Sequence, residues 1–153
     1  MKTLKQIFVE FEIGEIYPEN LPHEIINILE STDQNDFIIK ITNLYKPTRA
    51  DILEYLYPAF GITEKEKLSK KEKLVLLINR WINNKLETKT LHDRIHYFGL
   101  EDTLNTESFD YFIRNLSMSA SGNWVPGDEW DWTIENIEKD LKAIENRYYE
   151  FII

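Results

Sequence analysis

Apolar residues recur along this chain at intervals of three and four, the spacing that lines one face of an α-helix. The clearest run is near the end: Ile134, Ile137, Leu141, Ile144 and Tyr148. Glu135 with Lys139, and Glu138 with Lys142, form i,i+4 pairs on the opposite face. This pattern predicts a helix of about four to five turns. Upstream, Ser69-Lys70-Lys71-Glu72 is a capping box that leads into Leu74, Leu77, Ile78 and Trp81. Val75 and Ile82 widen that stripe, and Asn83-Asn84 ends it. Leu91, Ile95 and Phe98 mark a shorter helix with Gly99 beyond its end. Phe109, Phe112, Ile113 and Leu116 mark another, capped by Asn105 or Thr106. From Ser117 to Asp131 periodicity is lost among small residues, two glycines and a proline, which predicts a loop.

The first third is less uniform. Leu4, Ile7, Phe8 and Phe11 fit a helix, whereas Ile7, Val9, Phe11 and Ile13 fit a strand. No convincing second strand exists to pair with it, so a helix ending near Gly14 is expected. Asn20 precedes Leu21-Pro22 and a short helix with Ile25, Ile26, Ile28 and Leu29. A further helix is expected to carry Phe37, Ile38, Ile41, Leu44 and Tyr45, broken at Lys46-Pro47. Thr48 with Asp51 then caps a helix bearing Ile52, Leu53, Tyr55, Leu56 and Phe60. Pro58 is expected to kink or end it, with Gly61 closing the segment. The predicted class is all-α, a compact helical bundle with an N-terminal helical extension. The chain reads as one domain, 1–153, with candidate subdomains 1–61 and 69–153 on either side of the charged stretch from Gly61 to Lys73.

Composition narrows the function. The chain has 153 residues, enough for one domain with a sizeable core. It has no cysteine, which removes disulfides, thiolate metal sites and cysteine nucleophiles. No apolar run reaches the roughly 18 residues of a membrane span. The N-terminal residues lack a signal-peptide apolar core, so the expected location is cytoplasmic, with no membrane partner. The net charge is −9 and is unevenly spread. Between Lys5 and Lys40 lie eight acids and no Lys or Arg. From Ile62 to Arg94 nine bases face five acids, and from Glu101 to Glu145 eleven acids face three bases. Such acidity argues against direct binding to a nucleic-acid backbone.

Motifs for catalysis are missing. There is no G-x-S-x-G elbow and no G-x-G-x-x-G, and Gly122 and Gly127 have the phosphate-loop spacing but are followed by Asp128 rather than lysine. His92 and His96 stand one helical turn apart, as two ligands of a shared metal would, yet no third ligand is identifiable nearby. No cofactor, metal or catalytic residue is therefore assigned, and no enzyme activity is expected.

The segment from Gly122 to Trp132 holds three of the four tryptophans, three acids and no base. Tryptophan is a frequent binding anchor, and acids beside it suit a basic partner; the alternative is that Trp130 and Trp132 clamp the start of the last helix onto the bundle. The stretch Leu77-Ile78-Asn79-Arg80-Trp81-Ile82-Asn83-Asn84-Lys85-Leu86-Glu87-Thr88, then Leu91, resembles the opening helix and turn of small helical immunity proteins of the colicin D type. The order that follows is also similar: two short helices, an acidic aromatic loop and a long closing helix. The resemblance covers roughly Lys73 to Ile153. It implies a helical protein that neutralises a bacterial toxin, often a nuclease, by covering its active site. The residues expected to bind are Trp124, Asp128, Glu129, Trp130 and Asp131, with Glu107 and Asp110 as neighbours. The alternative is a non-catalytic adaptor or regulatory module that binds another protein.

Overall fold

The computed structural model describes residues 2–28, 46–63, 67–120 and 128–144; the side chains of residues 128–132 lie outside the description. Every regular element among the described residues is helical. The fold is all-α. The chain divides into two compact units, Met1–Leu68 and Ser69–Ile153. The helix expected over 37–45 lies outside the described residues.

In the first unit, α1 (Leu4–Glu12) begins where the Gln6 amide donates to the Thr3 hydroxyl. It ends at Gly14, whose φ of 86° is the left-handed conformation that an L side chain resists. There the Gly14 amide donates to Phe11 O at 3.1 Å and the Glu15 amide to Glu10 O at 2.8 Å, closing carbonyls that would otherwise be orphaned. Ile7, Val9, Glu10, Phe11 and Glu12 are all buried. The strand-like alternation in this segment arises because the helix is enclosed on more than one face.

A single 3₁₀ turn (Pro18–Asn20) leads into α2 (Leu21–Ile26). The next described helix, α3, covers residues 49–59 and opens on the Thr48–Asp51 capping box. It is α-helical over Arg49–Asp51, π-wound over Ile52–Leu56 and α-helical again over Tyr57–Ala59. The Tyr57 amide reaches back five residues to Ile52 O. Pro58 has no amide hydrogen, and its ring would crowd a carbonyl four residues back in an α-helix. The wider π turn just before it relieves that conflict; the helix runs one residue past the proline, to Ala59, and Gly61 closes the segment.

Ile7, Phe11, Ile16, Leu21, Ile25, Ile52, Leu56 and Tyr57 form the core of this unit. Phe8 meets Tyr57 and Phe60 edge-on at 5.3 and 5.9 Å between ring centroids. Glu12 is buried but satisfied: its carboxylate accepts from the Tyr57 hydroxyl and from Arg49 Nη2, the latter at 3.1 Å. Arg49 also lies over the Phe11 ring at 5.0 Å. One carboxylate thus ties α1 to α3. Glu10 pairs with Lys2 at 2.8 Å, and that hydrogen bond raises the Lys2 ammonium above its ordinary pKa. The raised lysine pKa favours the fold while the ammonium–carboxylate pair is intact, and the contribution fades as strongly alkaline solution deprotonates the folded ammonium.

The second unit contains α4 (Lys70–Ile82), α5 (Thr88–Tyr97), α6 (Glu107–Ala120) and α7 (Asp128–Lys142). Each packs against the next in sequence. The Ser69–Glu72 capping box is formed, with both reciprocal bonds at 3.1 Å. Leu74, Val75, Leu76, Leu77 and Ile78 are all buried, so α4 is enclosed around more than a full turn. The stripe read from sequence omits Leu76 for that reason. Leu91, Ile95, Leu100, Phe109, Phe112, Leu116, Ile137 and Leu141 are also buried in this unit. The loop expected from Ser117 to Asp131 is shorter than the sequence indicates: α6 continues to Ala120 and α7 starts at Asp128. The polar residues Ser117, Ser119 and Asp131 lie on helices that run past the apolar pattern.

Two expectations follow. Glu12→Ala leaves the buried Tyr57 hydroxyl and Arg49 without this acceptor, and should cost about 2–4 kcal/mol; amide exchange of residues 2–28 and 46–63 should report it, and unchanged protection would refute the clamp. Gly99→Ala at φ 64°, where an added Cβ meets nothing within 4 Å, should cost about 1–2 kcal/mol from backbone strain alone. Urea titration should show Gly99→Asn costing less than Gly99→Ala, because asparagine tolerates this conformation better.

Candidate functional site

The segments that carry the expected binding residues are α6, α7 and the chain between them. Thr106 is the residue that caps α6: its hydroxyl accepts from the Phe109 amide at 3.2 Å. The same hydroxyl donates to Asp140 Oδ2 at 3.1 Å, and Ser108 donates to that oxygen at 3.2 Å. Asp140 therefore brings a negative charge to the amino-terminal end of α6, where the helix dipole favours it. It also fixes direction. The start of α6 lies beside the far end of α7, so the two helices run antiparallel.

That direction decides which expected residues share a surface. Glu107 and Asp110 are exposed on the first turn of α6. Asp128, Glu129, Trp130 and Asp131 make up the first turn of α7. Asp128 precedes Asp140 by twelve positions, or about 18 Å along the axis at 1.5 Å per residue. The expected residues thus fall at two ends of the hairpin, and Glu107 and Asp110 are not neighbours of the first turn of α7. Trp124 lies outside the described residues.

On the rest of the unit, the two histidines do not converge. His92 Nδ1 is 3.1 Å from Asp93 Oδ1, and His96 Nδ1 is 2.8 Å from Glu101 Oε1, so each ring faces its own carboxylate. Among the described residues no group of three or more His, Asp or Glu is placed to hold a metal ion.

A recess of about 480 Å³ lies at the turn between α4 and α5, lined by Trp81, Asn84, Lys85, Leu86, Glu87 and Thr88. Asn84 takes φ 58° and closes α4, with its amide on Trp81 O at 3.0 Å and the Lys85 amide on Arg80 O at 2.8 Å. Trp81 is held in place from two sides. Its indole N–H donates to Thr88 Oγ1 at 3.1 Å, and its ring meets Phe112 edge-on at 5.7 Å. The basic stretch nearby is engaged in part within the unit: Lys73 lies over the Phe98 ring at 4.8 Å, and Lys70 is 3.9 Å from Asp102.

Sequence reasoning missed Asp140 and Ser108. Thr106 carried a local capping signal, but its partner is 34 positions away, and no local pattern marks such a pairing. No family model matches the chain, and no curated protein or solved structure matches it.

Removing Asp140 should loosen the hairpin. Asp140→Ala and Thr106→Ala should each cost about 1–2 kcal/mol. Because the two share one network, the double variant should fall short of additivity by at least about 0.5 kcal/mol in chemical denaturation. Strict additivity would show that the two side chains act independently.

Proposed function

We propose that this protein is a non-catalytic inhibitor that binds a bacterial toxin, a basic nuclease, and neutralises it by covering the active site. The observation that carries this reading is the concentration of three tryptophans and three acids, without a base, in residues 122–132. From Asp128 onward that segment forms the first turn of α7. Large rigid aromatics supply anchors, and acids around them match a surface built to hold phosphates. The net charge of −9 favours fast encounter with such a surface. The bond set at Asp140 supports the reading in a second way. It holds α7, the helix that carries Asp128 at its other end, against α6. The resemblance to colicin D-type immunity proteins points to the same job.

The test is retrieval from lysate of the native cell, with elution in rising salt, followed by an inhibition assay on what is retrieved. The expected result is one basic nuclease whose retention weakens with salt and whose activity the purified chain suppresses. Trp124→Ala should weaken binding by about 30-fold or more, equivalent to about 2 kcal/mol. Asp128→Ala should mainly slow association. Normal binding by both folded variants would remove residues 122–132 from the interface. Recovery of a protein that is bound but not inhibited would replace this reading with the adaptor.

A further inference from the structure

We draw no further inference here: the strongest candidate, the recess at the α4–α5 turn lined by Trp81, Asn84, Lys85, Leu86, Glu87 and Thr88, is walled by side chains of both charge signs that single out no class of ligand, and nothing in the structure shows what fills it.

Discussion

A short helix in water does not stand by itself, because its nucleus is costly and each end leaves backbone groups without partners. The longest described helix here has 15 residues and most are shorter, so the structure depends on closing helix ends and burying helix sides. The ends are closed by a repeated device. After α1, α3, α4 and α5 the chain turns through a left-handed residue, Gly14, Gly61, Asn84 or Gly99. Two amides then fold back onto the last carbonyls. At Gly61 and Gly99 the following residue, Ile62 or Leu100, also packs toward the core, so the cap and the core reinforce each other.

Burial of the helix sides brings Glu12 and Ser108 inside with it, and their partners come from elsewhere in the chain. Glu12 gathers Tyr57 and Arg49 in the first unit, and Asp140 gathers Thr106 and Ser108 in the second. Each is one carboxylate that accepts two donors from a different helix. In the buried Glu12–Arg49 pair, desolvation offsets much of the attraction. The Asp140 bonds join the start of α6 to the far end of α7, and the two helices are antiparallel.

That antiparallel pairing bears on the proposed binding role. Acids that are scattered in sequence become two groups at opposite ends of a hairpin. The group at the start of α7 adjoins the tryptophan-rich segment, whereas Glu107 and Asp110 lie at the other end. An interface centred on the tryptophans therefore draws its nearest acids from Asp128, Glu129 and Asp131. Acids at the start of a helix also have a purely local benefit, through the dipole. The dipole accounts for acids but not for tryptophans, so the tryptophans, more than the acids, motivate the binding reading.

Local chemistry was legible from the sequence by itself. The all-α class, the Ser69–Glu72 and Thr48–Asp51 caps, and the stops at Gly14, Gly61, Asn84 and Gly99 all rest on residues within a few positions of each other. The backbone preferences and hydrogen bonds involved need no distant partner. The apolar stripes were legible wherever a helix buries one face, as in α5 and α6. They misled where burial is wider: α1 acquired a strand-like alternation and Leu76 was passed over. Only the tertiary structure decided how far α6 and α7 extend, how the helix passes Pro58, and which side chains satisfy Glu12 and Asp140. It also decided that Glu107 and Asp110 lie apart from the start of α7. The pairings of Glu12 and Asp140 depend on groups that are remote in sequence and adjacent in space, and periodicity along a chain carries no record of such pairings.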